Sequence, residues 1–316
     1  DVGLFNRITL NVDLYDKTTS ELLLNVELPY TTGFASVIQN VGSVRNRGME
    51  FNLRTINLNG AFQWETNFNI AFNRNKVLSL VQGKDILQET LRIIRVGEDL
   101  NSWYMRKWAG VDPANGNPLW EVVTTDSNGE QTVSTTNVYS NATLQIAGSF
   151  TPDFTGGISN VFTYKAFSLS AFFNFVSGVQ VYNGSLFVTD SDGAYDTENQ
   201  RVLTDGESRW QNPGDIATHP KPVFGGNLNS SRESSRYLQD GSYIRMRNVR
   251  FTYSLPNSFL SKLKIANASL FVSGDNLWTI TNFTGRDPQA ILSRSGGQVT
   301  NYPISKKVLF GINVGF

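Results

Sequence analysis

The sequence contains no cysteine, a single histidine (His219) and few charged residues. The lack of cysteine excludes disulfide bonds and thiol chemistry, and one histidine excludes a metal site built from several histidines. Charged residues make up 17% of the chain, whereas soluble domains average about 25%. The formal net charge is zero, so nothing indicates a general nucleic-acid binder. We therefore expect no cofactor, no metal and no nucleic-acid partner.

Long hydrophobic runs are also missing. No segment approaches the roughly 18 apolar residues of a membrane helix, and the mean hydropathy is -0.25. A transmembrane β-barrel needs no such run, because only alternate residues of each strand face lipid. The sequence starts at Asp1 with no basic and apolar leader. We expect a fragment of a longer chain, and a trimmed mature protein is the alternative.

Alternation with period two is the strongest pattern that is present. In 308–316, alternate apolar side chains share one face of a predicted strand; they are Val308, Phe310, Ile312, Val314 and Phe316. The same alternation predicts the other long strands, at 6–15, 47–56, 61–72, 155–164, 166–176, 242–254 and 267–275. Weaker strand candidates lie near 101–110, 117–125, 131–138 and 142–149.

A soluble sandwich would show the same alternation, but three features favour a transmembrane antiparallel β-barrel. The strands are near the roughly 9–11 residues that cross a bilayer at a tilt. Their polar faces are rich in Asn, Gln, Ser and Thr, which suits a wet lumen. Aromatic residues lie near strand ends, as in interfacial girdles; they are Tyr15, Phe62, Tyr164, Tyr253 and Phe316.

One predicted strand changes its alternation in the middle. In 242–254, Ile244 and Met246 have one parity, whereas the later apolar residues have the other. A β-bulge near Asn248 would keep all of them on the lipid face. Arg245 and Arg247 would then face the lumen.

The connections between predicted strands have two lengths. Short turns are predicted at 57–60, 126–129 and 164–165, whereas the long, polar connections are 16–46, 73–100, 178–241 and 276–306. Outer-membrane barrels have short periplasmic turns and long extracellular loops, so the long connections are the expected outer loops. Weak helical spacing in 73–92 predicts a short helix within one of them.

Several strings of the sequence resemble the C-terminal region of SusC-like (SusC/RagA family) TonB-dependent transporters, the nutrient importers of Bacteroidota outer membranes. They span most of the chain in the family's order. The strings are NRITLNVDLYDKTTSELLLNVELPYTTGF, QNVGSVRNRGMEFNL, WAGVDPANGNPLW, GSFTPDFTGGISNVFTYKAFSLSAFFNF, SSRYLQDGSYIRMRNVRFTYSLP, LFVSGDNLWTITNFTGRDP and VLFGINVGF.

The resemblance implies an all-β fold in which 1–316 is the C-terminal portion of the barrel. Large outer-membrane transporters have about 22 strands and a plugged lumen. This chain would supply roughly half of them, 10 to 12, and neither the plug nor the N-terminal domains of the family. An open half-barrel would leave two unpaired edges in lipid, so a missing N-terminal half or oligomerisation must complete it.

The implied function is TonB-dependent import of glycan or peptide fragments across the Gram-negative outer membrane. A SusD-like surface lipoprotein would be the partner, and the TonB complex would act through the missing plug region. Lipid, including lipopolysaccharide, and the barrel-assembly machinery are further expected partners. The alternatives are a scaffold barrel in an envelope complex and, less favoured, an outer-membrane barrel enzyme.

Two sets of residues are candidate sites. Loop aromatic residues could stack on a substrate or contact the lid, although girdle or loop-core packing is the expected role of most of them; they are Trp103, Tyr104, Trp108, Trp120 and Trp210. The last strand resembles the signal read by the barrel-assembly machinery, through Phe310, Ile312, Val314 and Phe316. No catalytic, cofactor or metal residue is predicted.

Charged residues are interpreted structurally. Asp190, Asp192 and Asp196 lack the spacing of a calcium-binding EF-hand loop, so we expect a solvated turn. His219 has no nearby nucleophile motif. The expected lumen-facing charges would form a lattice against the plug or water; they are Glu50, Arg54, Glu65, Arg245 and Arg247.

Overall fold

The computed structural model of the protein describes residues 1–27, 30–34, 36–40, 42–88, 91–289 and 303–316. In chain order the strands are β1 (Val2–Leu4), β2 (Ile8–Ser20), β3 (Leu23–Glu27), β4 (Ser36–Asn40), β5 (Ser43–Asn59), β6 (Phe62–Ser79), β7 (Ile86–Gln88), β8 (Arg92–Ile94), β9 (Ser102–Arg106), β10 (Trp108–Val111), β11 (Pro118–Thr125), β12 (Gln131–Thr136), β13 (Leu144–Ser149), β14 (Phe154–Tyr164), β15 (Phe167–Ser177), β16 (Gln180–Tyr182), β17 (Leu238–Asp240), β18 (Tyr243–Ser254), β19 (Asn267–Thr281) and β20 (Lys307–Gly315). The α-helices are α1 (Leu186–Thr189) and α2 (Asn257–Leu260). Among the described residues, no helix is long and apolar enough to cross a membrane.

Nine strands form one antiparallel sheet, in the order β1-β2-β5-β6-β14-β15-β18-β19-β20. All the strongly alternating segments of the sequence are in this sheet, which confirms those predictions. The expectation of 10 to 12 such strands is wrong for the described residues. The weaker candidates between 101 and 149 do form strands, but these are only 4 to 8 residues long. They pair in two small sheets, β10-β11-β12 and β13-β9-β8-β7.

The register of the large sheet places apolar side chains on one continuous face. Val12 pairs with Phe51, which in turn pairs with Ile70. At the other end of the sheet, Val272 connects Phe251 to Phe310 by the same kind of pairing. Side chains alternate across a strand, so each strand has one apolar and one polar face. Because apolar residues of neighbouring strands pair with one another, their apolar faces form one continuous surface.

The opposite face of the same sheet is polar. Asn52 lies between Asn11 and Asn69 in the ladder. The guanidinium of Arg54 donates to the carboxylate of Glu65 at 2.8 Å. Both side chains are partly exposed to solvent, so the pair contributes little stability but keeps the face hydrated.

A β-bulge in β18 resolves the change of parity seen in the sequence. Phe172 pairs with Asn248 and Phe173 pairs with Met246, so Arg247 is the extra residue. The predicted bulge near Asn248 is confirmed. The bulge restores the apolar face on both sides of it, because one inserted residue shifts the alternation by one.

The connections at the two ends of the sheet differ in length. At one end, two-residue turns join β5 to β6 and β14 to β15, and Lys165 in the second turn has a φ of 53°. The connections at the other end are far longer, as predicted. The prediction of a connection over 73–100 is too short, because the chain between β6 and β14 runs from 80 to 153 and contains two small sheets. The short helix predicted in 73–92 is reduced, among the described residues, to a single 3-10 turn at Val81–Gly83, because β6 continues to Ser79 and β7 begins at Ile86.

The strands at the sheet edges are β1 and β20. Within the described part of the chain they pair on one side only. The apolar side chains of β20 are among the most exposed in the sheet, with Phe310 80% and Ile312 65% exposed. A long apolar edge of this kind is a surface for pairing with a further strand.

Candidate functional site

The long connections pack against one another at one end of the sheet and form what we call the cap: the described residues of 80–153, 178–242 and 282–306. Its core is buried and rich in aromatic residues; it consists of Trp103, Met105, Tyr182, Leu186 and Tyr237. These residues come from two different connections, so the core holds the connections together. Burying such side chains contributes about 1.5–3 kcal/mol each, enough to fix connections that would otherwise be mobile.

The cap is attached to the wall by a buried ion pair. The guanidinium of Arg245, in β18, donates to the carboxylate of Asp287 at 2.7 Å, and both side chains are almost fully buried. The backbone N–H of Ile304 donates to the same carboxylate at 3.0 Å. The expected lumen-facing Arg245 therefore pairs with the connection between β19 and β20. Residues 290–302 of that predicted connection lie outside the described residues.

Two of the aromatic residues predicted as ligand contacts are in the interior of the cap. Trp103 has no exposed surface and donates its indole N–H to the carbonyl of Gln180 at 2.9 Å. Trp120 is also fully buried and packs edge-on against Trp108 and Tyr139. In this conformation neither indole reaches solvent, so their geometry is that of core residues.

The other three aromatic residues are partly exposed. The guanidinium of Arg95 lies 5.0 Å from the ring centre of Tyr104, and that of Arg236 lies 4.9 Å from Trp108. Trp210 donates its indole N–H to the carbonyl of Pro113 at 2.9 Å. Each ring thus has at least one structural contact, and ligand contact remains a prediction for them.

Trp210 also fixes a tight turn beside it. The turn ends at Gly116, whose φ of +72° favours glycine. A Cβ built at Gly116 would lie 2.5 Å from the Trp210 ring. Because glycine has no Cβ, the Trp210 ring can lie against the turn. This contact joins residues 112–117 to the connection between β15 and β18.

The acidic segment of the longest connection is not the solvated turn that the sequence led us to expect. Asp190 is 3% and Asp192 0% exposed, while Asp196 is exposed. The carboxylate of Asp192 accepts hydrogen bonds from Arg209 at 2.9 Å and from Arg236 at 3.2 Å. The correction has a physical cause, because buried carboxylates are retained when cations pair with them.

Asp190 is paired in the same way. Its Oδ2 faces His219 Nε2 at 2.8 Å and Arg201 at 3.2 Å. Its Oδ1 accepts no hydrogen bond, but Arg209 and Arg236 lie at 3.7 and 3.8 Å. We call this set the ionic cluster; it consists of Asp190, Asp192, Arg201, Glu207, Arg209, His219 and Arg236.

His219 has a structural position in the ionic cluster. Its Nδ1 lies 2.8 Å from the hydroxyl of Thr218, and its Nε2 faces Asp190. The imidazole is 5% exposed. Both ring nitrogens are engaged inside the cluster, so the geometry is that of a packed hydrogen-bonding group.

Two carboxylates of the cluster, those of Asp190 and Glu207, have a lowered pKa. Burial would raise the pKa of Asp190, but the hydrogen bond with His219 and the charge of Arg236 hold it below its ordinary value. The paired hydrogen bonds from Arg201, at 2.6 and 2.7 Å, lower the pKa of Glu207 strongly. Both carboxylates are therefore ionised at neutral pH.

The arginines of the ionic cluster were not found from the sequence. Arg201, Arg209 and Arg236 are spread over 36 residues of chain and share no motif with the aspartates. The only available signal was the presence of several charges in a connection of a charge-poor protein. Among the described residues, no group of three or more His, Asp or Glu side chains could hold a metal ion, and the aspartates face arginines instead.

The chain is similar to several known proteins over its whole length. No protein-family model matches it. It is 33% identical to TonB-dependent receptor P3 of Formosa agariphila, with 100% of this chain and 33% of that protein covered. It is 26% identical to TonB-dependent receptor SusC of Bacteroides thetaiotaomicron, with 100% of this chain and 31% of SusC covered.

Solved structures are also similar to this chain over almost its whole length. The structure of the RagAB peptide transporter matches with a TM-score of 0.83 and 30% identity, over 98% of this chain and 34% of that chain. The 'open-open' state of the RagAB peptide importer matches with a TM-score of 0.80 and 30% identity, over 98% of this chain and 33% of that chain. The chain spans about a third of the length of the curated relatives it matches.

These relatives are named as receptors and transporters. Their membership of the outer-membrane receptors is consistent with an outer-membrane location. The sheet with one apolar face and long connections at one end is the corresponding part of a large β-barrel wall. Along its whole length the chain is similar to SusC-like TonB-dependent outer-membrane transporters and corresponds to the C-terminal part of one.

Proposed function

We propose that this chain forms wall and outer cap of a TonB-dependent importer that takes up glycan or peptide fragments together with a SusD-like lipoprotein. The observation that carries the proposal is the asymmetry of the sheet. Its apolar face suits lipid, and its cap lies at one end only. The solved relative is a peptide transporter with which this chain shares 30% of its residues, and the SusC match extends over all of it.

The rest of the importer is proposed to come from further strands and a plug domain, with 1–316 as the C-terminal portion of the barrel. Two observations support this. The chain corresponds to about a third of its relatives, and the sheet has edges at β1 and β20. Each unpaired backbone group at such an edge costs several kcal/mol in lipid.

The proposed residue roles follow from the wall and the cap. Partly exposed aromatic residues of the cap, Tyr104, Trp108 and Trp210, are proposed ligand or lid contacts. Phe310, Ile312, Val314 and Phe316 are proposed as the assembly signal. Phe316 is 96% exposed, which leaves its ring free for recognition.

The test of the import proposal is uptake by cells that carry the full-length receptor. We expect a fluorescently labelled mixture of short peptides and glycans to accumulate in cells with TonB, and uptake to stop when TonB coupling is removed. A SusD-like lipoprotein should co-purify with the receptor. Uptake that continues at the same rate without TonB would contradict the proposal.

Two alternatives predict other results. A scaffold barrel would co-purify with envelope-assembly factors and show no uptake. An enzyme would lose a measurable activity on His219→Ala, whereas an importer would lose only cap stability.

A further inference from the structure

A cavity of about 390 Å³ opens in the cap between β9, the turn at 137–140 and the segment 228–232. It is lined by two arginines, Arg106 and Arg232, and by the amide side chains of Asn137 and Asn229. It is separate from the ionic cluster, whose arginines all face carboxylates.

Neither arginine of this cavity is paired with a carboxylate among the described residues, although every arginine of the ionic cluster is. Arg106 also has a buried Nε–H with no hydrogen-bond partner. A buried donor without a partner costs about 1–3 kcal/mol, which a ligand oxygen that reached this Nε–H would recover. Glu233 lies close enough to affect Tyr139, but it forms no ion pair with either arginine.

Backbone strain marks the same cavity. Leu228 and Asn229 are consecutive residues with positive φ, 46° and 68°. Leucine rarely adopts this conformation, and strained residues persist where the surrounding structure holds them, often at binding sites. Both residues line the cavity.

We propose that the cavity binds an acidic side chain, glutamate above all, of a peptide cargo. The carboxylate would lie between Arg106 and Arg232, whose planar donors match its geometry. The apolar Val138 and Leu228, 47% and 46% exposed, would contact the methylene stem. This proposal rests on the proposed import function and deepens it.

The aromatic geometry favours a peptide over a glycan. Tyr139 is the aromatic residue that lines the cavity, and its ring already has two neighbours. The Arg106 guanidinium lies 4.4 Å from its centre, and Trp120 packs edge-on against it at 5.3 Å. The one aromatic ring of the described cavity is thus engaged within the protein, whereas an apolar stem and a carboxylate both have partners in the cavity.

The test measures peptide affinity for the purified full-length receptor with its co-purifying lipoprotein. The probes are Ala-Ala-Glu-Ala-Ala and its neutral partner Ala-Ala-Gln-Ala-Ala, both blocked at their ends. We expect the glutamate peptide to bind about tenfold more tightly, as for charge-assisted hydrogen bonds. Arg106→Gln and Arg232→Gln should each remove this preference without weakening the glutamine peptide.

Arg7→Gln is the matched control, because Arg7 is an exposed arginine in the turn between β1 and β2, at the opposite end of the sheet. It should leave the preference unchanged. Arg106→Lys keeps the charge and should retain part of the preference, which separates charge from a folding defect.

Each other outcome has a defined meaning. Equal binding of both peptides by the unmodified receptor would overturn the cavity assignment and leave the import proposal standing. Binding of tetragalacturonate that is lost in Arg106→Gln, with no glutamate preference, would overturn the peptide assignment. Failure of every probe to bind or to enter cells would count against the import function itself.

Discussion

Asp192 is a carboxylate with no exposed surface, and two arginines from 17 and 44 residues further along the chain balance its charge. Such a charge is stable in a protein interior only when partners replace the water it has lost. The acidic segment around it looks like a solvent-exposed loop in the sequence, because the sequence does not show which distant arginine will face which aspartate.

Replacing Asp192 tests whether the ionic cluster stabilises the cap. Asp192→Asn keeps the size of the side chain but leaves Arg209 and Arg236 facing each other without their main counter-charge. We expect the cap to lose about 3–5 kcal/mol of local stability, as for one partner removed from a buried ion pair. The measurement is amide hydrogen exchange of 185–240 in the full-length receptor.

Asp196→Asn is the matched control for this change. Asp196 lies four residues away in the same segment but is exposed, so its replacement should leave exchange unchanged. Equal exchange rates in the two variants would show that the cluster does not stabilise the cap.

In strand β18, the need to keep apolar side chains on one face determines the local backbone geometry. In β18 the chain inserts Arg247 as a bulge, and the apolar residues on both sides of it then point the same way. A shift by one residue would otherwise place half of them on the polar face. Sequence parity alone was enough to predict this bulge, since only an extra residue reconciles the two halves of the strand.

The last strand, β20, and the terminal Phe316 contain the proposed assembly signal. We expect Phe316→Ala, and more strongly deletion of Phe316, to lower the amount of folded receptor in the outer membrane several-fold, because the exposed terminal ring is the proposed recognition element. The amount of folded receptor is measured in membrane extracts as the fraction of the receptor whose migration in gel electrophoresis changes on heating.

Phe259→Ala provides the comparison, since Phe259 in α2 is also exposed, at 55%, but lies outside the sheet. Its replacement should leave assembly unaffected. Normal assembly of the receptor without Phe316 would refute the proposed signal.

At the scale of the whole molecule, a rigid wall supports a cap that is held by charges. The wall depends on a ladder of backbone hydrogen bonds and on apolar matching, neither of which titrates. The cap depends in part on Asp190 and Glu207, whose pKa values are lowered by their partners. Acid should therefore affect the cap before the wall.

The direction of the pH effect follows from the lowered pKa values. A carboxylate with a depressed pKa stabilises the folded state fully above its ordinary value of about 4, and this stabilisation is lost as the pH falls through the lower, folded pKa. We expect cap cleavage by pepsin, an acid protease, to increase steeply below about pH 4, while the wall stays protected.

The control is Glu207→Gln, which should make cleavage of the cap faster at pH 4 and less dependent on pH below it. Cap opening that begins between pH 7 and pH 5 would show that Asp190 and Glu207 do not cause the pH effect, because neither of these two carboxylates titrates in that range.

Local alternation specifies the long strands of the wall. Period-two alternation is a local property that any strand must satisfy to present an apolar face to lipid, so the positions of the long strands and the bulge could be predicted from neighbouring residues in the chain. The number of wall strands could not, because the short strands between 101 and 149 pair in separate small sheets. The weak helical spacing in 73–92 failed for a related reason, since β6 extends further to pair with β5, and pairing with a neighbouring strand overrides a weak local preference.

The cap depends on contacts that local pattern does not encode. The burial of Trp103 and Trp120, the pairing of Asp190 and Asp192 with arginines, and the position of Arg106 and Arg232 in one cavity all join residues that are far apart in the chain. Contacts of this kind depend on how several connections fold over one end of the sheet, and no local periodicity encodes them. Alternation along each strand therefore specifies where the wall lies, whereas three-dimensional packing determines which charges pair with one another and which line a cavity.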